Sequence, residues 1–192
     1  NQMQEKENAI VVSVENLSVG FADGGNGQDG AGAVKYVSFE IQKGEILGIV
    51  GESGSGKSVT ALTLMGLESE DARITSGEIK FGGRTLRKAG KRAEEKLYRE
   101  YRGKHMSMVF QEPMTSLNPV QRAGRQAEEM LKLHTDLGKK ERKEKVLETF
   151  RSVGLTDAER VYASYPHQLS GGMRQRVMIA MAVLLHPELI VA

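Results

Sequence analysis

Residues 51–58, Gly51-Glu52-Ser53-Gly54-Ser55-Gly56-Lys57-Ser58, satisfy G-x-x-x-x-G-K-[ST] at every fixed position. The apolar run Ile46-Leu47-Gly48-Ile49-Val50 precedes them and reads as a buried strand. Val59, Leu62 and Met65 follow at the spacing of one helix face. A strand, a glycine-rich turn and a helix start in that order form an anion site. The glycines let backbone N–H groups turn inward around a phosphate, and the helix N-terminus adds positive potential. Lys57 is placed to reach β- and γ-phosphates, and the Ser58 hydroxyl suits Mg2+. The competing reading, a glycine-rich turn that binds nothing, is disfavoured by the strand before the loop and the helix after it.

The rest of the chain must supply a domain around that loop. Ile10, Val12 and Val14 alternate with other positions, as do Leu17, Val19 and Phe21, and each run reads as strand. Residues 1–8 are polar and read as frayed, and 23–32 as a Gly/Asp/Asn/Gln loop. Val37, Phe39 and Ile41, then Ile79 and Phe81, continue the strand pattern. Residues 84–104 are rich in Lys and Arg with interspersed Glu and read as a solvated helix. A short strand is expected over 106–110, two polar-faced helices broken near Gly138 over 120–153, and an apolar helix over 173–185. His186-Pro187 stops that helix, and Leu189-Ile190-Val191-Ala192 begins a strand. The near-balanced formal charge of +2 excludes a strongly basic nucleic-acid binder, and the lack of cysteine excludes disulfides and thiolate metal sites. No apolar run reaches a membrane span, so membrane association is expected to come through a partner.

A second motif narrows the reading. Leu169-Ser170-Gly171-Gly172-Met173-Arg174-Gln175-Arg176 opens the last apolar helix, with Ser170 as a plausible N-cap and two glycines that permit close backbone approach. Taken in isolation it reads first as a plain helix N-cap. Leu-Ser-Gly-Gly more than a hundred residues after the phosphate loop resembles the signature of ABC-type ATPases. Val109-Phe110-Gln111 resembles the family's Q-loop, although a lone glutamine after a strand is by default a surface amide. Phe21 matches the aromatic that stacks on adenine, against the alternative of a core residue. The runs 51–59, 111–119 and Tyr165-Pro166-His167-Gln168 are similar to ATPases of the oligopeptide, dipeptide and nickel importer group.

That resemblance implies an α/β P-loop NTPase core with an N-terminal antiparallel β subdomain and an inserted helical subdomain, and a core sheet incomplete at the C-terminus. It divides a single partial nucleotide-binding domain over 1–192 into a β subdomain with core (1–110), a helical subdomain (111–168) and a signature helix with the start of the next strand (169–192). ATP and Mg2+ are the implied cofactors. Nucleotide contacts fall on Phe21, Gly51, Glu52, Ser53, Gly54, Ser55, Gly56, Lys57, Ser58, Val59, Ser170, Gly171 and Gly172, metal contacts on Ser58 and Gln111, and a water contact on Gln111. The implied partners are a second ATPase subunit, identical or paralogous, docked head to tail, transmembrane permease subunits and, indirectly, a solute-binding protein. The implied location is the cytoplasmic face of the membrane.

In the family an Asp and a catalytic Glu follow the strand that begins at Leu189, and a switch histidine comes later. The chain stops at Ala192, and none of His105, His134, His167 or His186 takes the switch position. The expectation is therefore a chain that binds ATP but does not hydrolyse it alone. Exposed apolar surface is expected near 46–50 and on the helix carrying Val59, with marginal stability or association as the consequence. A nonhydrolytic nucleotide-binding regulatory or scaffold module is the alternative. A soluble ABC ATPase of repair or translation is a third reading, which the lack of tandem cassettes or coiled-coil insertions disfavours.

Overall fold

The parity of apolar residues changes along the first strand, from even positions (Ile10, Val12, Val14) to odd ones (Leu17, Val19, Phe21). The computed structural model, which describes residues 10–21, 32–91, 94–110 and 117–192, shows how one strand absorbs that change. β1 runs unbroken from Ile10–Phe21, with Asn16 in the left-handed region (φ 48) and register shifts against both neighbours on either side of it. One extra residue flips the side chains to the other face, as a β-bulge does. Gly77 makes this possible, because a Cβ there would lie 2.2 Å from the Glu15 carbonyl oxygen.

Around β1 stand β2 (Val34–Gln42), β3 (Ala72–Phe81) and β4 (Arg84–Lys88) in the antiparallel order β2-β1-β3-β4. Val12, Leu17 and Ile79 are fully buried, each contributing about 1.5–3 kcal/mol of transfer free energy. α1 (Lys57–Leu64) follows the glycine-rich loop, and α2 (Glu95–Tyr101) follows β4. Gly66 ends the α1 segment at φ +64, with Leu67 N donating to Leu62 O. It lies so close to the buried Tyr98 ring that a Cβ would be 2.8 Å from ring carbons.

Three expectations for this part need correction. Residues 46–50 belong to no strand, and Ile46 and Val50 are 97% and 92% exposed. An apolar run asks for burial but needs neighbouring strands to obtain it, and the antiparallel sheet does not take it up. The exposed apolar surface expected there is present. Residues 84–104 are not one helix. Gly82 (φ 53) and Gly83 (φ 79) turn β3 into β4 with Phe81 opposite Arg84, a two-residue hairpin, and among the described residues of this stretch helix is confined to α2. In α1 the buried positions are Thr60, Thr63 and Leu64, with Met65 beyond; Val59 and Leu62 are only half-buried.

The chain divides into two compact units, Asn1–Glu100 and Tyr101–Ala192. In the second, β5 (Met106–Met108) pairs in parallel with β6 (Leu189–Val191), and the expected stop at His186-Pro187 separates β6 from the preceding helix. α3 (Ala123–His134) and α4 (Lys139–Ser152) break at Gly138 as their sequence suggests, with the Glu141 carboxylate accepting from Gly138 N at 2.7 Å. α5 (Ala158–Ala163) is a short helix that no periodicity announces, capped by Asp157, and α6 (Gly171–Val183) is the apolar last helix. Their shared core includes Leu131, Val146, Phe150, Val161, Val177 and Leu184.

α3 and α5 meet closely through one glycine. A Cβ on Gly124 would sit 2.1 Å from the Tyr162 ring. The ring is also tethered, because its hydroxyl donates to the Glu128 carboxylate. Burial, with that bond, pushes the hydroxyl up to about 12. Gly124→Ala would gain about 1 kcal/mol of helix propensity but lose about 1–3 kcal/mol to overpacking. We expect net destabilisation, read as a lower midpoint in urea unfolding.

Candidate functional site

The phosphate-loop sequence builds a small closed ring in the first unit. Gly54 (φ +81) and Gly56 (φ +89) adopt backbone conformations that side-chain-bearing residues rarely reach. A Cβ on Gly51 would lie 2.6 Å from Ser55 Oγ, and one on Gly56 would lie 2.3 Å from the Ala33 carbonyl oxygen. Side chains at these positions would therefore fill the ring or push it off the backbone ahead of β2. Lys57 extends back over the loop, its Nζ donating to Gly51 O (2.7 Å), Glu52 O (2.6 Å) and Ser55 Oγ (3.3 Å). The ammonium thus sits at the mouth of the ring, held by acceptors that an incoming anion can replace.

The helix behind the loop is left open to an anion. α1 has no side-chain N-cap bond and no acidic residue in its first turn, so its first N–H groups and dipole are not answered by a carboxylate or hydroxyl of the helix. Thr60 braces the turn from below, with N and Oγ1 both donating to Gly56 O, at 2.8 and 2.9 Å. Glu52, Ser53, Gly54, Ser55 and Ser58 are exposed around the mouth, and Val59 is half-buried. This donor set fits a phosphate chain. Ser58 offers one hard oxygen to a divalent cation, and no group of three or more His, Asp or Glu gathers among the described residues.

Ser170 caps α6 as its sequence suggests, with Oγ accepting from Met173 N at 3.3 Å. Leu169 is buried and pins the approach, while a Cβ on Gly171 or Gly172 would meet nothing within 4 Å. The two glycines are thus an open backbone surface at a helix N-terminus. The 3-10 turn Pro166–Gln168 leads in, with Tyr165 and His167 stacked at 5.7 Å. This motif and the phosphate loop belong to different units. Phe21 ends β1, half-buried, opposite Ala72. Gln111 and residues 112–116 lie outside the described residues.

Two contacts escaped the sequence. Arg176 Nη1 donates to the carbonyls of Val153 and Gly154 at 3.1 and 3.2 Å. The Arg87–Glu68 ion pair is buried, with side chains 4% and 9% exposed. Gly154 after an amphipathic run was a legible helix end, but nothing local marks an arginine as the partner of a distant carbonyl or carboxylate.

Comparison with known proteins agrees with this geometry. A family model described as ABC transporter matches residues 34–192. The dipeptide transport ATP-binding protein DppD of Lactococcus lactis subsp. cremoris is 45% identical over 183 residues, which are 95% of this chain and 50% of that protein. The oligopeptide transport ATP-binding protein AppD of Bacillus subtilis is 48% identical over 161 residues, 83% of this chain and 48% of that protein. The chain therefore spans about half the length of the curated relatives it matches. Among solved structures, the dimeric ABC transporter cassette MJ0796 superposes with a TM-score of 0.76 at 28% identity, covering 93% of this chain and 72% of that one. A post-hydrolysis dimer of the same cassette, bound to ADP and Pi, gives 0.75. The α/β fold of an ABC-type P-loop ATPase is thus established, and no helix among the described residues is long and apolar enough to cross a membrane. With its family match running from Val34 to the last residue, this chain belongs to the ABC transporter family.

Proposed function

We propose that this chain is the nucleotide-binding part of an ATPase subunit that energises uptake of peptides or similar small solutes through a membrane permease. The observation that carries the reading is Lys57, whose ammonium bridges Gly51 O, Glu52 O and Ser55 Oγ across a glycine ring beneath an uncapped helix. The names of the relatives, dipeptide and oligopeptide transport ATP-binding proteins, support the solute class.

In this proposal residues 51–59 hold the phosphates, with Lys57 against the β- and γ-groups and the α1 N–H groups around them. Ser58, together with Gln111, serves Mg2+, and Phe21 stacks on the base. Ser170, Gly171 and Gly172 face the nucleotide of a second ATPase subunit across a head-to-tail dimer. Bound ATP supplies the phosphoanhydride whose cleavage drives transport. Residues 111–168 form the helical subdomain that meets the permease, which holds the protein at the cytoplasmic face. Residues 1–192 by themselves bind ATP without turning it over, because the family's metal-holding Asp and catalytic Glu are not among them.

Equilibrium titration of residues 1–192 with ATP, with and without Mg2+, tests the binding part. Saturable binding strengthened by Mg2+ and no phosphate release are expected. No binding at millimolar ATP would remove the loop from the proposal, and sustained phosphate release would remove the half-site claim. The complete protein reconstituted with its permease should couple ATP turnover to uptake of a labelled dipeptide; turnover indifferent to any peptide would overturn the solute class.

A further inference from the structure

The first turn of α6 has few side chains to hold it in place. Gly171 and Gly172 contact nothing a Cβ could reach within 4 Å, Ser170 is exposed, and Met173 is only partly buried. Fully buried positions of the helix begin at Val177. Between the exposed turn and that core stands Arg176. Its Nη1 donates to Val153 O (3.1 Å) and Gly154 O (3.2 Å), the carbonyl end of α4. A cation there answers the negative end of the helix dipole. α4 is itself fixed, because Val146, Leu147 and Phe150 sit in the core of this unit. Gly154 holds a left-handed backbone (φ +84), and its carbonyl is open to the tip of the exposed Arg176 side chain.

We propose that Arg176 is a positioning residue that fixes the roll of α6 against α4, and so places the Ser170 hydroxyl and the Gly171-Gly172 backbone for the phosphate they receive. The inference rests on the proposed role of that turn. Arg176 touches no phosphate in it. Losing the contact shifts the turn by a fraction of an ångström to an ångström, enough to slow a reaction that depends on alignment.

The test uses the complete ATPase with its permease. Arg176→Met keeps the aliphatic stem and removes the donors. It should lower kcat roughly 10- to 100-fold and leave ATP binding by residues 1–192 alone unchanged, because in a single subunit the phosphate loop binds without the Ser170–Gly172 turn. Arg176→Lys, which keeps a cation at the α4 end, should recover part of kcat. Unchanged kcat in Arg176→Met overturns this inference alone, as does a parallel fall in ATP binding by residues 1–192. Absence of ATP turnover in the unsubstituted protein overturns the proposed function and this inference with it.

Discussion

Replacing Lys57 by alanine is expected to weaken ATP binding roughly 10- to 100-fold without unfolding the protein. The size follows from what is lost, namely charge-assisted hydrogen bonds to phosphate at about 1.5–3 kcal/mol, with each 1.4 kcal/mol worth about tenfold in affinity. The fold should tolerate the change because the bonds Nζ makes in the free loop are exposed to solvent, and the turn beneath is held independently by Thr60 on Gly56 O. Lys57→Arg should rescue poorly. The ring is tight enough that a Cβ on Gly51 would lie 2.6 Å from Ser55 Oγ, and a planar guanidinium does not occupy the place of a compact ammonium. Calorimetric titration with ATP and Mg2+ reads the affinity, and the thermal midpoint without nucleotide reads the fold. Alanine binding ATP as tightly as lysine would show that the loop does not grip phosphate through this residue.

The phosphate loop and the α6 cap were legible because their geometry is local. Glycines at positive φ, a lysine that reaches its own loop and a serine that caps the next turn all act within a few residues. The helices α3, α4 and α6 were legible from periodicity and from Gly138 and Pro187. Where the sequence misled, the deciding partner was remote. Residues 46–50 carry the composition of a buried strand, yet burial is a property of neighbours, and Ile46 stands 97% exposed. Arg84–Lys88 carries the charge pattern of a solvated helix, yet Gly82-Gly83 ahead of it forms a two-residue hairpin that places Leu86 and Arg87 inside. The bulge at Asn16 was visible as the parity change between Val14 and Leu17, but a bulged strand and two separate strands write the same pattern.

Arg87 also leads to the largest stability effect expected in the first unit. Its guanidinium donates through Nη2 to Glu68 Oε1 and through Nη1 to the Lys91 carbonyl, with the two side chains 4% and 9% exposed. Burial holds the guanidinium below the usual arginine range, opposed by the neighbouring Tyr98. The pair is incompletely satisfied, because Arg87 Nε and Glu68 Oε2 are buried without hydrogen-bond partners among the described residues. Such a pair is costly to break and of little net value to keep. Arg87→Met leaves a buried carboxylate uncompensated, and Glu68→Gln leaves a buried guanidinium facing a neutral amide. Loss of one partner should cost about 3–5 kcal/mol in the first case and less in the second, which retains one acceptor. Arg87→Met combined with Glu68→Leu should recover most of what Arg87→Met loses, because no charge is then left buried alone. Glu68 follows Gly66 and Leu67 at the end of α1, so the pair ties the far end of the phosphate-loop helix to β4. Loosening it should also weaken ATP binding in the single variants and restore it in the double. Urea unfolding of all three variants decides the matter. If the apolar double variant is as unstable as Arg87→Met, the cost lies in packing volume and not in an orphaned charge.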